Sequence, residues 1–290
     1  MLSRRAFCVS SLAAASAAAI EPIPRNGSPK FKFSLAAYSY RELLQAKKDP
    51  LPLSEFVSDC AKFGLDGVEL TSYYFPKDAT PEYLRELRRQ CFRLGLDVSG
   101  TAVGNDFAHP IGEARQNQIA LVKRWIENAA ILGAPVIRIF AGTQKKDVPP
   151  AETHTLMVQG IEECCSYAGR YGVHLALENH GGPTATADEL LKIVRDVQSP
   201  WFGVNLDTGN FHSDDIYGEL AKCAPYALNV QVKVVVSGPD KRKVPTDYAR
   251  VAKILREANY RGYVVLEYEE EGDPREKSPE ALARLREAFA

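Results

Sequence analysis

The sequence predicts an α/β protein, a single (β/α)8 TIM barrel, and three observations carry that prediction. Apolar runs bounded by Gly and Pro recur eight times between Phe33 and Glu267, at roughly 26–40-residue intervals, the length of a βα unit. Helix-like segments with readable ends fall between them. The later runs finish in side chains able to ligate a metal or move a proton, and in such a barrel the active site is built at the C-terminal ends of the strands.

The 290-residue chain opens with Ser3-Arg4-Arg5-Ala6-Phe7, then a weakly apolar stretch that ends in Ala17-Ala18-Ala19. Twin arginines, an apolar region and small residues for cleavage are the pattern of a twin-arginine signal peptide over residues 1–19. The expected location is therefore periplasmic or extracellular. Residues 20–30, with three prolines, read as a flexible lead-in. The barrel is assigned to residues 31–290.

The predicted strands are Phe33–Tyr38, Gly67–Thr71, Leu96–Thr101, Val136–Ala141, Val173–Glu178, Phe202–Asp207, Leu228–Val235 and Tyr263–Glu267. Thr80-Pro81 and Ser278-Pro279 each place a capping hydroxyl before a proline suited to the first helical position. Thr186 precedes Asp188 and Glu189, which favour a helix N-terminus. Gly64, Gly95, Gly133 and Gly172 stand where helices would end.

The fifth strand is the most informative. Val173-His174-Leu175-Ala176-Leu177-Glu178-Asn179-His180 is followed by Gly181-Gly182-Pro183. Side chains alternate along a strand, so Glu178 and His180 should point the same way. A carboxylate and an imidazole leaving a buried strand together are costly unless paired, metal-bound or catalytic. Asp207, Gln231 with Lys233, and Glu267 repeat the pattern on the next three strands.

Composition sets limits. The formal net charge is −1 and the hydrophobic fraction 45%, which is ordinary for a globular chain and offers no basic face for nucleic acid. Past the signal, no stretch is long and apolar enough to span a membrane. With Cys8 lost in the signal, Cys60, Cys91, Cys164, Cys165 and Cys223 remain. An odd set without Cys-x-x-Cys spacing reads as buried thiols rather than a zinc site or disulfide framework.

Gly67-Val68-Glu69-Leu70, Leu177-Glu178-Asn179, Asn205-Leu206-Asp207-Thr208-Gly209-Asn210 and Gly262-Tyr263-Val264-Val265-Leu266-Glu267, in this order and spacing, resemble the xylose-isomerase-like TIM barrels of the sugar-phosphate isomerase/epimerase superfamily. The resemblance covers about residues 31 to 290. It implies one divalent metal held by Glu178, Asp207, Gln231 and Glu267. The seventh-strand ligand is usually His; with Gln231 the donor set becomes all-oxygen, which favours Mn²⁺ or Mg²⁺ over Zn²⁺. Ketose epimerases also tend to place His where Asn210 stands.

The resemblance further implies that Glu178 and Glu267 are the catalytic bases, abstracting a proton next to a keto-sugar carbonyl through a metal-stabilised enediolate. His180 is an added catalytic candidate, its ordinary pKa near 6.5 suiting proton transfer, or else a structural residue capping the next turn. Candidate substrate-binding residues are Glu69, Lys233, Asn210, His212 and Tyr38. Glu69 is expected at the barrel mouth, with a substrate hydroxyl or Lys233 as partner, or in a structural ion pair. Arg138 reads as an interior counter-ion. Three functions follow: a metal-dependent isomerase or epimerase; a lyase eliminating the aglycone from 3-keto-glycosides, as in C-glycoside deglycosidases; and a non-catalytic sugar-binding barrel. The expected partners are a small-molecule sugar or glycoside and, at most, further copies of the chain as a homo-oligomer, with no nucleic acid or membrane.

Overall fold

The computed structural model describes residues 20–237 and 242–290. The expected export signal lies outside the described residues. The strands are β1 Lys30–Ala36, β2 Gly67–Thr71, β3 Asp97–Ala102, β4 Val136–Ile139, β5 His174–Glu178, β6 Phe202–Asp207, β7 Ala227–Lys233, β8 Val235–Ser237, β9 Lys243–Pro245 and β10 Arg261–Glu267. Eight of them close a parallel barrel in the order β1-β10-β7-β6-β5-β4-β3-β2. The remaining pair, β8 and β9, forms an antiparallel ribbon beyond the end of β7.

The helices are α1 Arg41–Leu44, α2 Leu53–Lys62, α3 Pro81–Arg93, α4 Glu113–Leu132, α5 Pro150–Gly169, α6 Ala187–Asp196, α7 Ile216–Cys223, α8 Tyr248–Glu257 and α9 Pro274–Phe289. Each of the longer ones turns an apolar stripe to the sheet; on α6 it is Leu190, Leu191, Ile193 and Val194. Between helices and strands lies a core that includes Phe56, Leu84, Ile126 and Leu132, all fully or almost fully buried. Each such side chain contributes about 1.5–3 kcal/mol on leaving water. The cysteines Cys60, Cys91, Cys164, Cys165 and Cys223 are buried free thiols. Among the described residues no helix is long and apolar enough to cross a membrane.

Helix ends follow the sequence signals in most places. Thr80 accepts the Tyr83 amide with Pro81 at the first turn, and Thr186 with Glu189 makes a complete capping box. Gly133 ends α4 at φ 79°, a left-handed conformation that costs glycine nothing.

Four expectations are corrected. Helix α9 starts at Pro274 with Asp273 as its cap, so Ser278-Pro279 lies inside it; Asp273-Pro274 carries the same cap-and-proline signature one turn earlier. The lead-in is anchored, because the Arg25 guanidinium donates to the carbonyls of Ala224, Pro225, Ala227 and Ala258 and the Ile23 amide donates to Pro225. Strand β1 ends at Ala36, which puts Tyr38 on the following 3-10 turn Ala37–Tyr40. Strand β7 ends at Lys233, where Thr246 draws the chain away by bonding to the carbonyls of Val234 and Lys233.

Candidate active site at the barrel mouth

The inward positions of this barrel carry polar side chains where branched aliphatic ones are usual. Ser34 and Ser99 share a hydrogen bond at 2.7 Å. Above them Glu69 is 1% exposed and accepts from Gln231 Nε2 at 2.6 Å and Asn229 Nδ2 at 2.8 Å. Asn229 also donates to Asn205 Oδ1 at 2.9 Å, and Asn205 Nδ2 donates to Gln231 Oε1 at 2.6 Å. Every polar atom of the Gln231 side chain thus has a protein partner. The expected partner of Glu69, Lys233, is not the one it takes, and Glu69 sits beneath the mouth rather than in it. Burial raises the Glu69 pKa to about 7, although the bonds from Gln231 and Asn229 and the nearby Arg138 oppose the rise.

The layer above holds Glu178, Asp207 and Glu267, all buried, at the C-termini of β5, β6 and β10. Glu178 Oε2 faces Arg138 Nε at 3.2 Å. Arg138 is held from its other side by the Val103 carbonyl at 3.1 Å and the Tyr73 hydroxyl at 3.4 Å, and its guanidinium lies 4.1 Å from the Phe140 ring centre. It is thus the interior counter-ion that the sequence suggested. Asp207 Oδ1 accepts the Gly209 amide at 2.7 Å, while the Asp207 main chain is clamped to β5 by two 2.8 Å bonds with the Asn179 side chain. Asn210 joins the group by donating to Glu178 Oε1 at 3.4 Å and accepting from Lys233 Nζ at 3.1 Å.

Lys233 stands at the centre. Its ammonium is 3.1 Å from Glu269, 3.5 Å from Asp207 Oδ2 and 3.9 Å from Glu267. Burial alone would lower its pKa, but Asp207, Glu267 and Glu269 outweigh that and raise it. Burial is likewise the main reason that Glu178 is raised to about 8 and Glu267 is raised well above the usual carboxylate range. Glu269 is a member of the site that the sequence reading missed. The sequence signal for it is weak, since it lies two residues beyond Glu267 and past the end of β10, where strand alternation no longer directs a side chain.

The remaining candidates line the rim. Tyr38 is half-buried beside Arg41, and its hydroxyl pKa is raised by burial, then by Glu269 and Glu267. His212 is exposed and lines a recess with Asn210, Lys233 and Glu269. His180 lies in a separate recess with Asn105, Phe140 and Thr184. Its ring centre is 4.5 Å from that of Phe140, and the ring makes no hydrogen bond among the described residues. It does not meet Glu178, because the strand ends there and the chain turns.

A divalent ion at this mouth would need carboxylate and amide oxygens free to receive it. Glu178 Oε2 and Asp207 Oδ2 are buried oxygens without a hydrogen-bond donor, as metal ligands awaiting an ion would be. Each, however, faces a side-chain cation, Arg138 or Lys233. Gln231 is spent on Glu69 and Asn205. Among the described residues, no three of His, Cys, Asp and Glu converge as a metal cage. The arrangement does not fit a four-ligand ion at Glu178, Asp207, Gln231 and Glu267.

A family model described as xylose isomerase-like TIM barrel matches residues 57–288. No curated protein matches the chain by sequence. Among solved structures, D-psicose 3-epimerase in the presence of D-fructose is 20% identical, covering 89% of this chain and 99% of that one with a TM-score of 0.73. D-psicose 3-epimerase with D-tagatose from Clostridium cellulolyticum H10 is 17% identical, with 89% and 99% covered and a TM-score of 0.74. The apo form of 3-keto-D-glucoside 4-epimerase from E. coli is 19% identical, with 89% and 100% covered and a TM-score of 0.72. At these identities the likeness is one of fold.

Proposed function

The chain belongs to the xylose isomerase-like TIM barrel family, and from that premise we propose that it is a carbohydrate isomerase or epimerase acting beside the carbonyl of a keto-sugar. The observation that carries the reading is the pair Glu178 and Glu267. They are buried carboxyl groups on strands separated by β6 and β7, and both are held toward their protonated forms. A carboxyl group with a pKa near 8 exists in both forms at neutral pH, so such a pair can offer one acid and one base. The names of the structural neighbours, which are keto-sugar and keto-glucoside epimerases, support the substrate class.

The chemistry balances with these groups. One carboxylate takes the proton beside the carbonyl, the C–H pair becomes a C=C bond, and the carbonyl π pair moves to oxygen. Return of a proton to the opposite face inverts the carbon; return to the former carbonyl carbon, with the hydroxyl proton of the first carbon passing to the oxyanion, moves the carbonyl. The oxyanion formed between these steps needs a fixed positive partner. The Mn²⁺ or Mg²⁺ that the family implies would need Gln231 to leave its network.

A second reading, the 3-keto-glycoside lyase, draws support from His180. Burial, then the charges of Arg138 and Lys233, lower its pKa and so favour the neutral imidazole, whose ring nitrogens make no hydrogen bond among the described residues. One experiment separates the readings: incubation with keto-sugars and 3-keto-glycosides in D₂O, followed by NMR. The isomerase exchanges a substrate C–H for deuterium, and Glu178→Gln and Glu267→Gln each slow exchange by about 10²–10⁴-fold. Aglycone release identifies the lyase. Binding without exchange identifies a sugar-binding barrel and removes the proposal.

The twin-arginine signal extends the proposal to location, with the folded enzyme exported to act on sugars or glycosides outside the cytoplasm. Fractionation of cells making the full chain should find it there, and replacing Arg4 and Arg5 by Lys should hold it inside. Equal distribution of both forms would exclude this route.

A further inference from the structure

We propose that the Lys233 ammonium takes the place of the divalent ion in this barrel and serves as its built-in electrophile. The inference rests on the isomerase reading for the oxyanion it would stabilise, but the displacement of the ion stands on geometry alone. Four observations carry it.

The first is backbone register. Across β7 and β10 the partner of Glu267 is Lys233, and Gln231 pairs with Val265 one step lower. Across β6 and β7 Gln231 is instead the partner of Asp207, so of the two side chains it is Lys233 that stands level with Glu267, one step further along β7. The second is the way Lys233 is held. Its amide donates to Thr208 Oγ1 at 3.0 Å and its carbonyl accepts from Thr246 Oγ1 at 2.6 Å, so the main chain is pinned on both sides. The third is a cradle for its stem. A Cβ at Gly209 would fall 2.5 Å from Lys233 Cδ and 3.2 Å from Cβ and Cγ, so glycine there lets the aliphatic chain lie across the end of β6. The fourth is its set of contacts, with Asp207, Glu267, Glu269 and the Asn210 carbonyl around one nitrogen.

A cation fixed in this way is preorganised, and it meets a developing oxyanion without reorganisation. It also repels a second cation brought to the same carboxylates. Gln231 completes the exchange. Where a metal-binding barrel would present a ligand, this chain commits that side chain to Glu69 and Asn205 beneath the site.

The test is Mn²⁺ binding by the full chain, followed by calorimetry and by metal analysis after dialysis, on wild type, Lys233→Met and Lys233→Arg. Wild type and Lys233→Arg are expected to hold no stoichiometric Mn²⁺. Lys233→Met, which bares the carboxylates, is expected to bind Mn²⁺ at least about 10-fold more tightly. Circular dichroism checks that each variant is folded. One tightly held Mn²⁺ in the wild type overturns the proposal even if Lys233→Met does not fold, and so does a folded Lys233→Met that gains no affinity. Deuterium exchange by wild type should survive a chelator, and exchange that the chelator abolishes overturns the electrophile role. Absence of exchange with every sugar would instead remove the isomerase reading and leave the metal-binding result to stand.

Discussion

His180 shows where strand parity stops being a guide. It lies two residues beyond Glu178, and alternation directs both side chains to the same side. The strand ends at Glu178, however, and Gly181 and Gly182 follow at φ +69° and +50°. The His180 amide donates to Thr184 Oγ1 at 2.9 Å, which fixes the turn, and the ring settles on Phe140. Phe140 carries Arg138 on its ring as well, so the imidazole and the cation paired with Glu178 both rest on one aromatic side chain. His180→Gln is therefore expected to keep deuterium exchange within about 10-fold of wild type, far from the 10²–10⁴-fold lost with a general base. A loss in that larger range, together with aglycone release that disappears in the variant, would move the assignment from isomerase to lyase.

At the scale of elements, what the sequence made legible was what local chemistry decides. Strands β2 and β6 have the bounds read from their apolar runs, and the capping box at Thr186 is where the hydroxyl and acid placed it. The start of the last helix differs for an instructive reason: Ser278-Pro279 and Asp273-Pro274 offer the same signature, and in the fold it is Asp273 that accepts the Arg275 amide, while Ser278 is buried within the helix. The ribbon of β8 and β9 was invisible because three-residue strands carry no periodicity. The site divides in the same way. Parity placed Glu178, Asp207 and Glu267 at one mouth. It could not tell that Gln231 would reach down to Glu69 across the barrel while Lys233 reached inward, because both point to the same side and only register and side-chain length separate them.

On the scale of the whole molecule, the buried acids give stability a definite pH dependence. Burial holds Glu69 near 7, Glu178 near 8 and Glu267 well above its usual 4.5. The folded state therefore keeps protons that the unfolded chain releases near 4.5. By linkage, stability falls as pH rises through the interval between the unfolded and folded values, and the penalty is absent below the unfolded value. His174 and His180 act oppositely. Burial lowers both, so the unfolded chain binds their protons more readily, and stability gained from them on raising the pH is complete once pH passes about 6.5. Between pH 6.5 and 8 the carboxyl groups act without that opposition. Urea unfolding across this interval should show stability declining with pH, by at most about 1.4 kcal/mol per pH unit for each group. Glu178→Gln removes one titrating site and should flatten the decline. A slope that is level or rising in the wild type, or unchanged in Glu178→Gln, would mean that Arg138 and Lys233 hold these carboxylates ionised throughout, and that the acid–base pair proposed for the sugar chemistry has lost its acid.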